Sequence, residues 1–494
     1  MKKLLALLLS ALLSLTAVGA LAEEAPLEFS YMTISSDTWN SEQLPMVELQ
    51  ARTNTQIDFI TAPLDGYATN LQTMLATGDI PDVIQVRDKA QLSMLVDQGA
   101  ILPIEDLLKE YGQNILAVVG EANYNAVRDA DGHIYTIPFV GTTPLTKSWM
   151  MRKDWLDRLS LEVPTTWDEW VEVFKAFKEQ DANDNGDPND EIPFTAMDTS
   201  LLYTFDIAAN DIFCVDPENH YTLIYEHPNY QAYLETLRDL YAQGLLDPEY
   251  LDRTGETKEA ALTAAMANDL VGCCWTFMNN MHHVDAIEGA QYIYMAPPVS
   301  PYGTQTQPGR VLGVSDNAAT ISVAAEDKAI ALIQFFDYIF SEEGQLLFSF
   351  GVEGVHFDYV DGEPRLRPEY TTDFNTYRAQ GMNYQPIAHV WTGDAYVQVF
   401  TNGATFEEMD SVAQQFTIGA EKNEEYGIAV PPIFTTDAYS EYYADLGAQV
   451  KSLEANAVAG NITVEEFFAE YEKLKEEGLQ EVIDQADEAW QAIQ

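Results

Sequence analysis

The chain has 494 residues, enough for two or more domains with hydrophobic cores of their own. It carries 79 acidic and 25 basic side chains, a formal net charge of -54, and the resulting repulsion excludes nucleic acids and anionic membranes as general partners. Because 47% of the residues are hydrophobic and 11% are aromatic, a disordered acidic chain is excluded as well.

The first 22 residues have the pattern of a secretory signal. Two lysines precede an apolar run over residues 4–18, and the segment ends on Ala20-Leu21-Ala22, with small residues where a signal peptidase cuts. The apolar run is too short to favour a membrane-spanning helix. We therefore expect export and cleavage after Ala22. Glu23 stands where a lipoprotein would have its cysteine, which favours a free periplasmic or secreted protein.

Strands and helices alternate in the first part of the mature chain. Aromatic and β-branched residues predict strands at 27–34, 56–60 and 82–86, and apolar residues at helical spacing predict helices at 42–53 and 67–76. This alternation indicates an α/β unit with a largely parallel sheet.

The middle and the end of the chain continue the mixed pattern. Extended segments are predicted at 135–139, 148–151, 272–277 and 291–296. Helices are predicted at 155–159, 167–179, 230–243, 258–267, 329–340 and 464–493. Thr166 and Glu169 form a capping box at the start of the second of these helices. Neither repeats nor a flexible linker divide the chain, which favours two lobes that share crossings over two independent domains.

An acidic loop between residues 181 and 191 has the spacing of a calcium site. Oxygen-bearing side chains occupy its first, third and fifth positions and Gly186 its sixth, as at the start of an EF-hand loop. Position 12 is Ile192, and the closing carboxylates fall one and two places early. The predicted ligands are Asp181, Asn183, Asn185, Asp187, Asp190 and Glu191, with a structural Ca²⁺ as the cofactor. The alternative is an Asx-rich turn without an ion.

Aromatic side chains at strand ends and in loops suggest a carbohydrate site, because flat sugar faces stack on such rings. Each ring is alternatively a core residue. The candidates are Trp39, Tyr67, Tyr135, Trp149, Trp275, Phe277 and Trp391. Arg87 ends a buried strand, where it could bind a ligand oxygen or pair with one of the many acids. Trp155, Trp167 and Trp170 lie within helical patterns and are predicted to pack in a core.

No motif of an enzyme is present. The chain lacks a G-x-S-x-G elbow, an H-E-x-x-H helix, a P-loop and a dinucleotide-binding turn, although a pair of glycosidase carboxylates could lie among its acids. Cys214, Cys273 and Cys274 are predicted to be small buried residues, because an adjacent pair suits neither a disulfide nor a zinc site. We predict a protein that is not an enzyme.

The segment 132–193 carries a family resemblance. It contains GHIYTIPF and then WMMRKDWLDRLSLEVPTTWDEWVEVFKAFKEQDANDNGDPNDEIPF. Four motifs stand there in order: Y-x-I-P, R-x-D-W-L-D-x-L, P-x-T-W-D-E and an acidic loop ending in D-E-I-P. The chain therefore resembles the extracellular solute-binding proteins of oligosaccharide ABC importers, in particular their LplA-like branch. FGVEGVHFDYVDGEPR at 350–365 and the C-terminal helices are similar to that branch too.

The resemblance implies an α/β, two-lobed periplasmic-binding-protein-like fold with a hinge and a ligand cleft between the lobes. We expect residues 23–144 with about 293–350 to form the N-terminal lobe, and 145–292 with about 351–494 the C-terminal lobe. The resemblance further implies that the acidic loop is a calcium site and that Trp275 stacks on a sugar. It adds Asp206 and Asp394 to the predicted ligand-binding residues.

The function implied by the resemblance is the capture of a small solute, expected to be an oligosaccharide, by a monomer that delivers it to ABC permease subunits. A peptide or another small solute on the same fold is the first alternative. A secreted glycosidase and a cell-surface adhesin are further alternatives.

Overall fold

The computed structural model describes residues 25–35, 39–87, 89–125, 128, 132–141, 146–187, 189–196, 199–250, 256–311, 318–371, 374–383, 387–401, 409, 411–434 and 436–492. The predicted signal segment, residues 1–22, lies outside this range. No helix within the described ranges combines the length and the apolar character needed to cross a membrane.

The strands are numbered β1 to β18 in chain order. They are β1 (Leu27–Ile34), β2 (Thr55–Ala62), β3 (Val83–Val86), β4 (Ile137–Pro138), β5 (Val140–Gly141), β6 (Lys147–Arg152), β7 (Ile192–Ala196), β8 (Ala209–Asn210), β9 (Phe213–Val215), β10 (Tyr221–Leu223), β11 (Val271–Phe277), β12 (Tyr292–Met295), β13 (Gln307–Val311), β14 (Ala318–Ile321), β15 (Phe357–Val360), β16 (Glu363–Leu366), β17 (Val390–Trp391) and β18 (Gly427–Val430).

The α-helices connect and cover these strands. They span Leu44–Thr53, Leu64–Thr77, Lys89–Asp97, Glu105–Tyr111, Gln113–Val119, Glu121–Asn125, Lys153–Arg158, Trp167–Glu179, Ser200–Tyr203, Tyr230–Ala242, Glu256–Ala267, Ala329–Phe340, Glu342–Phe350, Phe374–Arg378, Gly393–Phe400, Ser411–Tyr426, Ala448–Val458, Val464–Leu474 and Gln480–Ala492. The capping box of Thr166 and Glu169 is confirmed, since each side chain accepts a hydrogen bond from the backbone N–H of the other.

The first lobe is built on a five-stranded sheet in the order β2-β1-β3-β14-β4. The strands β1, β2 and β3 run parallel, as the alternation of elements predicts, whereas β14 is antiparallel to both of its neighbours. Both faces of this sheet are buried: Tyr31 and Val83 belong to one hydrophobic cluster, and Met32 and Ile84 belong to another.

The second lobe is built on a four-stranded sheet in the order β12-β6-β11-β7, in which β6 is antiparallel to both neighbours. Trp149 and Trp275 on one face pack against the C-terminal helices, which contribute Phe467 and Trp490 to the same cluster. On the other face, Cys274 packs against residues from the segment 350–420. Cys214, Cys273 and Cys274 are all 0% exposed, which confirms that they are buried residues.

The chain crosses between the two sheets through short strand pairs. The first crossing leaves β4, forms β5, which pairs with β17, and enters β6. The second crossing leaves β12, forms β13, which pairs with β18, and enters β14. Because β12 pairs with β6, the return to the first sheet comes after Met295, later than the expected boundary at about residue 293.

Candidate functional site

The two crossings bring one edge of each sheet toward the other. In the first sheet Val86 and Pro138 both align with Ala318, so the ends of β3 and β4 lie at this edge. In the second sheet Lys147 at the start of β6 aligns with Phe277 at the end of β11. Ligands of open α/β sheets bind outside the carboxyl ends of the strands. The space between these edges is therefore the candidate ligand site.

Arg87 is the cation at the edge of the first sheet. Its side chain is half-buried, its Nε is buried without a hydrogen bond, and no acidic partner is recorded for it within the part of the chain that the structure describes. Burial raises the pKa of the Tyr67 phenol, and the nearby guanidinium of Arg87 counteracts this. A buried charged donor without a partner is costly, so Arg87 is available for a ligand oxygen.

The other aromatic candidates of the first lobe differ in exposure. Tyr67 is 1% exposed, and its hydroxyl donates to the Gln85 carbonyl at 2.5 Å, so it supports the edge from within the core. Trp39 is half-buried with its ring centroid 4.9 Å from that of Phe59. Tyr135 is half-buried as well.

In the second lobe the structure separates the aromatic candidates into two groups. Trp149 and Trp275 are each 1% exposed and pack against each other, with ring centroids 5.3 Å apart, on the core face of the sheet. Phe277 is half-buried at the end of β11, with the Lys147 ammonium 5.0 Å from its ring centroid. Lys147 was not among the predicted residues, because only the register of β6 and β11 reveals its place.

The remaining predicted residues lie at or near the crossings. The Asp206 carboxylate accepts a hydrogen bond from the Thr304 hydroxyl in the second crossing. Trp391 is 7% exposed, and its indole N–H donates to the Tyr377 hydroxyl at 2.9 Å. Asp394 is exposed in the first turn of the helix Gly393–Phe400. The structure thus places Tyr67, Trp149 and Trp275 in the cores and the other predicted ligand-binding residues at or near the strand ends and the crossings, and contact with a ligand stays a prediction.

A buried amide pair joins the crossing segments, and nothing in the sequence pattern predicted it. Gln307 at the start of β13 and Asn423 near the end of the helix Ser411–Tyr426 are both 0% exposed. The Gln307 Nε2 donates to the Asn423 Oδ1 at 2.8 Å, and the Asn423 Nδ2 donates to the Lys147 carbonyl at 3.0 Å. These bonds hold β6, β13 and the helix Ser411–Tyr426, which leads into β18, in fixed positions relative to one another.

The acidic loop is held by hydrogen bonds from its backbone N–H groups to its own side-chain oxygens. The Gly186 N–H donates to the Asp181 Oδ2 at 3.1 Å, the Asn185 N–H to the Asn183 Oδ1 at 3.1 Å, and the Asp187 N–H to the Asn185 Oδ1 at 2.8 Å. Gly186 has φ +90°, a left-handed conformation that favours glycine.

Three carboxylate oxygens inside this loop are buried without a hydrogen-bond partner: the Oδ1 of Asp181 and both side-chain oxygens of Glu191. Glu191 is 3% exposed. Burial and the charges of Asp190 and Asp181 raise the pKa of Glu191, whereas the backbone N–H groups of Glu191 and Ala182 oppose this shift. Oxygens that lack a donor and repel one another are what a Ca²⁺ ion would satisfy, so the residues present fit this ion.

A second group of potential metal ligands lies on the exposed turn between β9 and β10. Among the described residues, Asp216, Glu218 and His220 hold one ligand atom each within 4.8 Å of one another. The Asp216 Oδ1 accepts from the backbone N–H groups of Glu218 and His220, at 2.9 and 2.8 Å, so these contacts are those of a capped turn.

Comparison with known proteins gives one matching family and several relatives. Residues 40–346, more than half of the chain, match the family of bacterial extracellular solute-binding proteins. The fructooligosaccharide ABC transporter substrate-binding protein FusA of Streptococcus pneumoniae serotype 4 is 31% identical over 232 residues, which cover 42% of each chain. That match therefore spans less than half of the relative. The polygalacturonan/rhamnogalacturonan-binding protein YtcQ of Bacillus subtilis is 24% identical over 96% of this chain and 93% of its own.

Solved structures share the fold. The alginate-binding protein AlgQ2 without calcium ion has a TM-score of 0.69 at 22% identity, over 95% of this chain and 98% of its own. An EF-hand mutant of S. pneumoniae FusA in complex with fructo-nystose has a TM-score of 0.68 at 20% identity, over 94% and 99%. At these identities the likeness shows the two-lobed α/β architecture.

Proposed function

Because the chain belongs to the family of bacterial extracellular solute-binding proteins, we propose that it captures a neutral oligosaccharide between its lobes and delivers it to an ABC importer. Two observations carry this proposal: Arg87, whose buried Nε has no hydrogen bond, lies at the end of β3 in one sheet, and the half-buried Phe277 lies at the end of β11 in the other. A guanidinium binds sugar hydroxyls, and a ring stacks on a sugar face. The net charge of -54 disfavours a polyanionic ligand.

The proposed mechanism is hinge closure without chemistry on the ligand. Groups from both edges contact the solute, and the closed form gains population by its greater affinity. The strand pairs β5–β17 and β13–β18 lie at the crossings and are the proposed hinge. The relatives named above are binding proteins, which agrees with a protein that is not an enzyme.

Titration calorimetry of the mature chain tests the ligand class. A neutral fructo-oligosaccharide, an oligogalacturonide and a tripeptide form the panel, since the first two represent the named ligands of two relatives. We expect binding heat with the neutral sugar and a more compact particle by small-angle X-ray scattering. Binding of the tripeptide alone, or cleavage of the sugar seen by chromatography, would contradict the proposal.

We further propose that Asp181, Asn183, Asn185, Asp187, Asp190 and Glu191 hold a structural Ca²⁺. The buried oxygens without donors support this, and two structures of similar fold concern calcium removal or an EF-hand mutant. An ion that binds only the folded state adds about 2.7 kcal/mol at a hundred times its dissociation constant. Thermal unfolding with calcium and with EDTA should therefore differ by several degrees, and Asp181→Ala should abolish the difference.

Export, cleavage after Ala22 and the absence of a lipid anchor remain part of the proposal, as does the monomeric state. Intact mass and N-terminal sequencing of the protein from its own host check the first three, with an unmodified Glu23 as the expected first residue. Light scattering after gel filtration checks the fourth.

A further inference from the structure

Asn183, the third position of the acidic loop, is held at both ends of its amide. It is 7% exposed. Its Oδ1 accepts from the Asn185 N–H inside the loop at 3.1 Å. Its Nδ2 donates to the Asp190 Oδ1 at 3.2 Å and to the backbone carbonyl of Asp269 at 3.1 Å. The Asp269 carbonyl, 86 positions away in the sequence, thus orients the Asn183 amide, because it can accept a hydrogen bond only from Nδ2.

Asp269 is itself fixed by a buried ion pair. It has φ +66°, a left-handed conformation that Asp and Asn tolerate, and its carboxylate accepts a hydrogen bond from the Arg152 guanidinium. Arg152 is 1% exposed and also donates two hydrogen bonds to Asp154, at 2.9 and 2.7 Å. The Asp269 carbonyl is therefore held in place by a group at the end of β6.

The turn at residues 268–270, which contains Asp269, also holds the C-terminal end of the acidic loop. The Ile192 N–H, directly after Glu191, donates to the Leu270 carbonyl at 2.7 Å, and β7 then pairs with β11 from Val271 onward. The turn 268–270 thus contacts the acidic loop at its third position and at its end. Both contacts come from backbone carbonyls, which can only accept hydrogen bonds.

We propose that Asp269, held by Arg152, is a positioning residue of the calcium site that requires an amide at position 183. This rests on the proposed calcium function. An aspartate at 183 would supply one more charge for the ion, but one of its oxygens would face the Asp269 carbonyl without a proton between them. An unsatisfied buried acceptor of this kind outweighs the gain from the added charge.

Calorimetry with Ca²⁺ on the chelator-stripped mature chain tests the proposal with two matched variants, Asn183→Asp and Asn185→Asp. Both add one negative charge, and both remove an amide donor from Asp190, since the Asn185 Nδ2 donates to its Oδ2 at 2.7 Å. Only the first meets the Asp269 carbonyl. We expect Asn185→Asp to bind calcium at least as tightly as the wild type, and Asn183→Asp about tenfold more weakly than Asn185→Asp. Equal dissociation constants for the two variants would overturn the proposal.

A third variant, Asp269→Asn, tests the role of the ion pair with all six loop residues intact. It keeps the backbone carbonyl and tolerates the left-handed φ, but it loses the charge that holds Arg152. Because Arg152 keeps its two hydrogen bonds to Asp154, the change weakens mainly the bond that holds residue 269. We expect calcium binding about tenfold weaker than in the wild type, with a native circular dichroism spectrum. Unchanged affinity would overturn the positioning role even if Asn183→Asp does not fold. If the wild type shows no heat of calcium binding, both the calcium site and this inference are overturned. If the wild type binds calcium and the variants bind it with the same affinity, only this inference is overturned.

Discussion

Arg87 is a cation for which the described chain records no ionic partner, although acidic residues outnumber basic ones threefold. A half-buried charge without an ion pair adds little to the stability of the folded state. We therefore expect Arg87 to serve ligand binding rather than stability.

Arg87→Gln should weaken oligosaccharide binding by about tenfold or more, because a hydrogen bond to a charged group is worth about 1.5–3 kcal/mol. The melting temperature should stay the same or rise, since no ion pair is lost. Arg365→Gln, on the exposed hairpin β15–β16, is the control and should change neither quantity. Calorimetry and thermal unfolding check both. A stability loss with unchanged affinity would assign Arg87 to the fold.

Glu454 gives a second prediction, on pH dependence. Burial raises its pKa to about 7, with a contribution from Asp211, against the opposing effects of Tyr230 and Lys451. The folded state keeps the proton between pH 4.5 and 7 while the unfolded state loses it, so the stabilisation present below pH 4.5 is lost as the pH rises through 7. Wild-type stability should fall relative to Glu454→Gln over this window by roughly 3 kcal/mol.

Denaturant unfolding of both proteins at a series of pH values measures this difference. Parallel profiles would show that Glu454 titrates alike in the two states.

The sequence allowed the calcium ligands to be predicted residue by residue, and they stay a prediction, but it could not tell core rings from rings at the strand ends. The loop ligands lie within eleven residues, so their spacing is visible in the chain. Trp149 and Trp275 lie in strands whose two faces are both buried. Apolar residues then occupy successive positions, and the alternation that would reveal a facing direction is absent.

At the scale of elements, most predicted helices and strands are confirmed to within a few residues. Their signals, helix caps and the spacing of apolar residues, lie within the element itself and are therefore visible in the sequence. The lobe boundary at about residue 293 stays a prediction, and β12 ends nearby at Met295, just before Pro297-Pro298. The strand pairs at the crossings were not predicted, since β13 and β18 lie more than a hundred residues apart. A side chain added between them would act on the proposed hinge directly.

Gly309→Ala should destabilise the protein by about 2 kcal/mol or more and weaken ligand binding. Its Cβ would lie 2.4 Å from the Ile428 carbonyl oxygen, a backbone atom that can move only if β13 and β18 separate. Gly66→Ala is the matched control, because its Cβ meets nothing within 4 Å, and it should stabilise the helix Leu64–Thr77 by about 0.5 kcal/mol. Thermal unfolding and calorimetry compare the two, and equal melting temperatures would contradict the expected close contact.

At the scale of the whole molecule, the net charge of -54 opposes compaction, because the acidic side chains repel one another across the folded surface. Salt screens such repulsion over about 10 Å at 0.1 M. The melting temperature measured in EDTA should therefore rise by a few degrees between about 10 mM and about 0.5 M NaCl. EDTA separates this effect from that of bound calcium, and a falling melting temperature would show that favourable ion pairs dominate instead.

The position of β14 in the first sheet has a consequence for biogenesis. The strand joins β3 to β4, yet it begins 180 positions after the end of β4, and the second core takes its last residues from the C-terminal helices. During synthesis from the N-terminus, the first sheet cannot be complete until residue 321 has been added, at about two thirds of the chain length. Neither lobe can therefore complete its core until most of the chain has been made. For the export that we propose, this delay would keep the chain unfolded, the form in which a secretion channel accepts it.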